Sequence, residues 1–356
     1  MKRKGLMMDN PVSWAGSSPE RGKTGPTEKG RKASESLLTV VVPVFNEEGN
    51  IVPLYRRLVS VVEPLVGDLE ILFVDDGSSD GSKNDIAGLH REDPRVKLVS
   101  FTRNFGHEMA TSAGLHFARG DAVVIIDADL QDPPEVIPEM LARWEEGYDV
   151  VYGKRLERAG EPVLKRASSR LFYRLIRRLT EVDIPEDTGD FRLIDREVVR
   201  RFRLLSERNR FVRAEIAWLG GRAIEVPYRR EPRLEGKTKY SSWKRLRLAL
   251  DGITSFSSVP LHIMSLLGFV MLFISMVAIL VVFVQKIFFG IPVPGYAFLV
   301  ISLFLLNGVE IFFIGLLGEY VGRMYREVQE RPLYLVSETL GIQEAEGGEG
   351  TLPRDV

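Results

Sequence analysis

The sequence predicts an α/β protein: an open, mostly parallel β-sheet flanked by helices, continued towards the C-terminus by a pair of long apolar helices. Three observations carry this. Short apolar runs alternate with amphipathic stretches through the N-terminal two thirds of the chain. The runs are continuous Val, Ile and Leu rather than alternating, as in strands buried on both faces. Beyond them lie two segments of membrane grade, Ile263–Val284 and Ala297–Leu317. Regular β–α alternation implies a sheet covered by helices on both sides, with its ligand at the carboxyl ends of the strands.

The elements follow in order. Residues 1–36 are rich in Lys, Gly, Ser, Pro and Thr without an apolar run, which predicts a disordered tail. Lys2, Arg3 and Lys4 open like a signal peptide, but no apolar stretch follows them. Residues 37–235 form the predicted sheet domain. Its strands are expected at Leu38–Val44, Glu70–Asp75, Val96–Phe101, Ala122–Asp127 and Asp149–Gly153. Its helices are expected at Asn50–Val62, Ser82–His90, Glu108–Ala118 and Glu135–Glu146. A further helix, Leu164–Thr180, has apolar residues on one face and Lys165, Arg166, Arg170, Arg174, Arg177 and Arg178 on the other. Such a face suits an anionic membrane surface or a lipid phosphate. Residues 236–260 combine a flexible GKTK loop, a candidate lid, with an amphipathic interfacial helix carrying Trp243, Leu246, Leu250 and Ile253.

Residues 261–318 are expected to form a transmembrane hairpin. Ile263–Val284 is 22 residues without a charge, roughly 33 Å as a helix and long enough for a bilayer core. Ala297–Leu317 is interrupted by Asn307 and Glu310, and the turn between the spans holds Pro292, Pro294 and Gly295. Eight Lys/Arg lie in Arg229–Leu250, and Arg323, Arg326 and Arg331 follow the second span, against Lys286 alone between them. The positive-inside rule then places the sheet domain and both termini in the cytoplasm, at a cytoplasmic membrane. Residues 319–356 would be a cytosolic segment, disordered over Gln343–Val356. Glu310 is costly within a bilayer unless paired, with Asn307 or with a second subunit of a homo-oligomer such as a tetramer.

Composition excludes several chemistries. Lys+Arg total 48 against 49 Asp+Glu, a net charge of −1, which gives no support to a nucleic-acid partner. With no cysteine there is no disulfide, thiolate metal site or cysteine nucleophile. The four histidines, His90, His107, His116 and His262, include no helical metal pair, so any metal must be held mainly by oxygen, as Mg²⁺ or Mn²⁺ is. Three strands end in acidic turns, at Asn46-Glu47-Glu48, at Asp75-Asp76 and at Asp127-Ala128-Asp129-Leu130-Gln131-Asp132. Asp127 and Asp129 can share one divalent cation that bridges a diphosphate, with Gln131 adding a neutral oxygen. Glycine-rich phosphate loops of the GxGxxG and GxxxxGK[ST] kinds are absent from the sequence.

The ordered set PVFNEE (43–48), DDGSSDGS (75–82), DADLQDPPE (127–135), GKR (153–155) and TGDFRLIDR (188–196), followed by a double span, resembles the family 2 glycosyltransferases of GT-A fold. More narrowly it resembles the polyprenyl-phosphate glycosyltransferases, a group that includes dolichyl-phosphate mannose synthase and the bacterial bactoprenol glucosyl transferases. The likeness runs over about residues 37–340. It implies that Pro43, Phe45 and Glu47 line the base and ribose pocket, and that Asp75 contacts base or ribose with Asp76 beside it. Asp127, Ala128, Asp129 and Gln131 would meet the metal-bound diphosphate, and Arg155 would reach the donor. Arg233 and Lys239 would close over donor and acceptor phosphates. Lys165 and Ser169 would lie near the acceptor, and Arg213 would meet the sugar or the lipid phosphate. The QxxRW motif of processive members is absent, which implies one sugar per turnover.

The resemblance implies an inverting, metal-dependent enzyme. It would move a sugar from a nucleotide sugar, UDP-glucose favoured by subtype and GDP-mannose or UDP-aminoarabinose donors open, to undecaprenyl or another polyprenyl phosphate. Asp190, Asp129 and Arg155 are its expected catalytic residues. Asp190 is open to several roles: a base, an anchor for sugar hydroxyls or Arg192, a stabiliser of positive charge at the anomeric carbon, or a cap of a helix over Leu193–Phe202. Asp187 is a second candidate in that stretch. Trp218 is equally a core residue or a platform, and His107 is expected to be structural. Two other classes compete: a catalytically silent membrane-anchored nucleotide-sugar scaffold, and a nucleotidyl- or phosphotransferase acting on the lipid.

Overall fold

The structure is a computed structural model and describes residues 30–156, 188–208, 210–231, 259–288 and 295–342. Its strands are β1 (Leu37–Val44), β2 (Asp68–Asp75), β3 (Val96–Phe101), β4 (Ala122–Ile125), β5 (Val150–Arg155), β6 (Thr188–Asp195), β7 (Ala223–Tyr228) and β8 (Val336–Leu340). They form one sheet in the order β7-β5-β6-β4-β1-β2-β3-β8. The central run β3-β2-β1-β4 is parallel, whereas β6 runs against both β4 and β5, and β8 runs against β3. The helices are α1 (Ile51–Val62), α2 (Ser82–Glu92), α3 (His107–Phe117), α4 (Ile137–Glu145), α5 (Arg196–Phe202), α6 (Val212–Leu219), α7 (Val259–Phe288) and α8 (Tyr296–Val328).

Strand β1 shows why the sheet is central. Val40, Val42 and Val44 face one core, with Ile51, Leu54 and Leu58 of α1, while Val41 faces the other, with Ala110 and Ala113 of α3. Both faces are apolar because both are covered, so the alternation of a half-exposed strand is missing. α3 comes close to β1 at Gly114, where a Cβ would overlap Val41 Cγ1. Gly114→Ala is therefore expected to destabilise by about 1–3 kcal/mol, the usual cost of overpacking, read as a fall in melting temperature.

A second expectation concerns acid. His116, near the end of α3, is held below its ordinary value by burial first, then by the charges of Arg203 and Arg210. A depressed imidazole contributes stability that is fully present above its unfolded value of about 6.5 and is lost as pH falls below it. The melting temperature should drop between pH 7 and pH 5, and His116→Gln should flatten that drop.

Several expectations change. Within the stretch expected to be tail, Arg31 is half-buried and Ala33 is buried in the core. Arg31 donates to the Tyr148 carbonyl and to Asp149 at 2.7 Å, and lies 3.1 Å from Asp195, neutralising two carboxylates at the far end of the sheet. Of the helix expected over Leu193–Phe202, the first three residues belong instead to β6. The helix begins at Arg196 and is capped by Asp195, whose carboxylate accepts the Glu197 amide at 2.8 Å. Asp190 is therefore no helix cap. The segment after α8 returns to the sheet as β8. Trp218 is 63% exposed, so the core alternative for it falls away.

α7 and α8 contain 30 and 33 residues. Among the described residues no helix is long and apolar enough to cross a membrane; the expected spanning hairpin is taken up below as a proposal. Asn307 donates to the Leu303 carbonyl of its own helix at 2.9 Å. The basic helix 164–180, the GKTK loop, the juxtamembrane helix 241–257 and residues 343–356 lie outside the described residues.

Candidate active site

Sheet direction builds the site. β1, β2 and β4 are parallel, so Val44, Asp75 and Ile125 end at one edge. β6 runs the other way and starts at that edge: Arg192 pairs with Ile125, and Thr188 pairs with Lys154. Asp190 thus stands beside Asp127, although the two are distant along the chain. β5 and β7 end at the same edge with Arg155 and Tyr228, and Arg230 follows.

Asp127 and Asp190 form the acidic centre. His107 Nε2, at the start of α3, lies 3.3 Å from Asp190 Oδ2 and 3.8 Å from Asp127 Oδ1. Arg213 of α6 donates to Asp190 Oδ1 at 3.0 Å. The buried Arg192 lies 3.8 Å from the same oxygen and donates to the Gly189 carbonyl at 2.9 Å. Burial opposes ionisation of Asp190, but the His107 hydrogen bond and the Arg213, His107 and Arg192 charges hold it well below the usual carboxylate range. Burial also opposes the charged form of His107, yet Asp190, Asp127 and Glu108 push it up to about 9. Asp127 is pushed up to about 6, first by burial and then by Asp190, Asp132 and Asp129, against the pull of His107.

A second group surrounds Asp132, which is fully buried. Its Oδ1 accepts the Tyr228 hydroxyl at 2.5 Å and Arg230 Nε at 3.1 Å, while Oδ2 has no hydrogen bond and lies 3.6 Å from Arg155. Arg155 also donates to the Tyr228 hydroxyl at 3.2 Å. Gly189 lets Arg155 lie against β6, since a Cβ there would overlap the guanidinium. Arg230 reaches within 3.7 Å of both Asp127 Oδ2 and Asp129 Oδ2. Leu130, between Asp129 and Gln131, takes a left-handed backbone with φ 58°. That conformation is strained for a branched side chain and is typical of functional turns.

The third part of the edge holds Asp75 and Asp76. Asp75 accepts the Ser78 amide at 3.0 Å and the Ser100 hydroxyl at 2.9 Å. Asp76 accepts the amides of Phe105 and Gly106, at 2.6 and 2.9 Å, where the chain enters α3. Burial raises Asp76 above its ordinary value. Phe45 is 39% exposed above this floor, and Glu47 accepts the Asn50 side-chain amide at 2.7 Å. Pro43 sits past the last β4 partner of β1, Val41, so its missing N–H breaks no bond to that strand.

The structure thus gathers Asp127, Asp129, Arg155, Asp190 and Arg213 at one edge, with Asp75 and Asp76 beside them. It differs from the expected ligand set of Asp127, Asp129 and Gln131. Among the described residues, the side chains whose ligand atoms converge within 4.8 Å are His107, Asp127 and Asp190. Asp129 instead accepts the Gln131 amide at 3.2 Å and faces Arg230. Lys165, Ser169, Asp187, Arg233 and Lys239 lie outside the described residues. Sequence reasoning missed His107, Asp132, Tyr228 and Arg230. His107 has a signal, since RNFGHE directly follows a predicted strand. Arg230 has none, because the sequence predicts no strand at β7.

Residues 39–203 match the glycosyl transferase family 2 pattern. An uncharacterized glycosyltransferase of Synechocystis sp. is 45% identical over 86% of this chain and 96% of its own. An SfII prophage-derived bactoprenol glucosyl transferase of Shigella flexneri is 43% identical over 85% of this chain and 98% of its own. A mannosyltransferase from Pyrobaculum calidifontis, solved in complex with GDP-Man and Mn²⁺, overlays with a TM-score of 0.44 and 22% identity, covering 65% of this chain and 67% of that one. The chain belongs to glycosyl transferase family 2. It is a glycosyltransferase built on a mixed sheet flanked by helices.

Proposed function

We propose that the enzyme transfers one sugar, glucose from UDP-glucose in the first instance, to the phosphate of a polyprenyl phosphate at the cytoplasmic face of a membrane. The observation that carries this is the meeting of opposite charges at one sheet edge. Asp190 pairs with Arg213, Asp127 and Asp129 face Arg230, and Arg155 faces the adjoining Asp132, an arrangement suited to a cation and to phosphates together. The Shigella relative's name supplies the acceptor class and the sugar.

The residues fit a divalent cation such as Mg²⁺ or Mn²⁺. The donors are carboxylate oxygens, and the Arg230 guanidinium lies 3.7 Å from both carboxylates of the Asp127-Ala128-Asp129 turn, so the site already attracts positive charge. Asp127 and Asp129 would hold the ion, and Asp190 and His107 lie beside Asp127. When bound, it would neutralise charge on the leaving diphosphate.

Arg155, fixed by Tyr228 and Asp132, is placed to meet the donor diphosphate. Arg213, fixed by Asp190, is placed to meet the sugar or acceptor phosphate. The lipid phosphate oxygen forms a bond to the anomeric carbon from the side opposite the leaving group. The bond to the diphosphate breaks, its electron pair leaves with the nucleoside diphosphate, and configuration inverts. A phosphate monoester is largely ionised near neutrality, with a second pKa of about 6, so little proton removal is needed. Against burial, the His107 hydrogen bond and the neighbouring cations favour the ionised form of Asp190, which supports a charge-stabilising role over that of a proton acceptor. Asp190 acts as an anion that orients Arg213 and His107 and stabilises positive charge developing at the anomeric carbon.

The apolar helices supply the membrane contact. α7 exposes Leu266, Phe269, Phe273 and Phe283, and α8 exposes Leu299, Leu303, Ile311 and Phe312. A contiguous apolar surface of this kind calls for lipid or protein cover. With the 22 uncharged residues of the first segment and the basic flanks, this supports a spanning hairpin with both termini cytoplasmic. Exposed Glu310 would then pack against a second copy of the chain.

A panel of radiolabelled UDP-glucose, UDP-galactose and GDP-mannose, each with undecaprenyl phosphate and Mg²⁺ or Mn²⁺, tests the proposal. Label from UDP-glucose is expected in the extracted lipid, with one UDP released per sugar. No lipid label from any donor, or release of nucleoside monophosphate, would overturn it.

A further inference from the structure

β8 returns from the end of α8 and closes one edge of the sheet against β3. Its register is broken once: Ser100 pairs with Glu338 and Phe101 with Val336, which leaves Ser337 as the extra residue of a bulge. A bulge takes its extra residue out of the ladder and re-aims the side chain. Ser337 Oγ donates to the Ser100 carbonyl at 3.0 Å and lies 3.4 Å from Ser100 Oγ. Ser100 Oγ donates to Asp75 Oδ2 at 2.9 Å. Ser337 thus holds the backbone of Ser100, the residue whose hydroxyl bonds the carboxylate that ends β2.

A second set of contacts starts at Tyr334. Its buried ring stacks on Phe101 with centroids 4.8 Å apart, and Phe101 meets Phe105 edge-on at 5.7 Å. The Phe105 amide donates to Asp76 at 2.6 Å. Between the two sets, the Thr102 amide donates to the Leu335 carbonyl at 2.9 Å. The same C-terminal segment is tied to the other half of the site. Glu327 of α8 accepts the Arg208 amide at 2.9 Å, and Arg208 in turn donates to the Arg331 carbonyl, shortly before α6 and Arg213.

We infer that the return segment Tyr334–Glu338 is a positioning element of the donor pocket, which fixes Asp75 and Asp76 and so sets affinity for the donor nucleotide. The inference rests on Asp75 and Asp76 forming the nucleotide end of the site. Ser337 touches neither the donor nor the reacting atoms; it acts through Ser100. The Lys83–Glu338 ion pair at 2.5 Å is exposed on both sides and adds little, as surface pairs do. The consequence is physical continuity. Only residues 329–335 separate the end of α8 from the strand that braces the pocket.

The test uses the full chain in detergent and measures binding of UDP and of GDP, each with Mn²⁺, by calorimetry. The nucleotide that the unmodified chain binds more tightly is then used with Ser337→Ala, Ser337→Thr and Asp75→Asn, with melting temperatures recorded for each. Ser337→Ala should weaken binding about 3–10-fold, the effect of losing one partly buried hydrogen bond. It should raise the donor KM by a similar factor with kcat within about twofold. Ser337→Thr, which keeps the hydroxyl, should restore binding. Unchanged binding in Ser337→Ala, alongside a loss in Asp75→Asn, overturns the inference and leaves the pocket assignment standing. The same holds for a loss in Ser337→Ala that Ser337→Thr does not rescue. Unchanged binding in Asp75→Asn, or no binding of either nucleotide by the unmodified chain, overturns the pocket assignment and the inference with it.

Discussion

Asp190→Asn is expected to lower kcat by about 10²–10³-fold, the scale of losing a preorganised charge at a reacting centre. Asp190 is the counter-charge of three cations: His107 at 3.3 Å, Arg213 at 3.0 Å and Arg192 at 3.8 Å. The asparagine keeps the shape and one acceptor oxygen but removes the charge. Arg213 then loses its fixed direction, and positive charge building at the anomeric carbon has no anion beside it. Arg192, fully buried, is left with two backbone carbonyls and the face of the Tyr152 ring. Stranding a buried charge costs about 3–5 kcal/mol, so a fall in melting temperature should accompany the loss of turnover. Donor KM should change by only a few fold, because the proposed nucleotide end of the site lies at the ends of β1 and β2. A variant with full kcat would remove Asp190 from the reaction.

Asp129→Ala carries the second large effect. Asp127 and Asp129 flank one residue in the turn after β4, and Arg230 faces both. Removing Asp129 takes away one of the two proposed aspartate ligands and frees the Gln131 amide that Asp129 accepts. Leu130 then has less to hold its left-handed backbone. Turnover should fall about 10²–10³-fold, corresponding to about 3–4 kcal/mol of lost charge stabilisation. The stimulation by added Mn²⁺ should disappear, which steady-state assays over a Mn²⁺ series would read directly. A catalytically silent scaffold would instead keep its biological effect in this variant.

The central sheet is legible in the sequence because its physics is local. Continuous apolar runs mark strands covered on both faces, and Val96–Phe101 has the same bounds in sequence and structure. The acidic turns are legible for the same reason, since a strand followed by Asp-x-Asp is visible in one line of sequence. What escapes depends on pairing between distant segments. β6 reads as a loop and helix because Phe191, Leu193 and Ile194 also fit a helical start; only its antiparallel pairing with β4 makes it a strand. That pairing also brings Asp190 to Asp127 and turns His107 from an isolated ring into the neighbour of two carboxylates. β8 escapes because VSETL is short and polar, as edge strands tend to be. Arg31 escapes because composition marks its surroundings as tail, while two carboxylates at 2.7 and 3.1 Å hold it in place.

The most direct measurement is anomalous diffraction from crystals of the full chain soaked with Mn²⁺ and UDP. An anomalous peak within coordination distance of the Asp127 and Asp129 carboxylates is predicted, with the diphosphate on its far side towards Arg155. A nucleotide bound away from the ends of β1, β2 and β4, or manganese at some other place with this edge empty, would contradict the account.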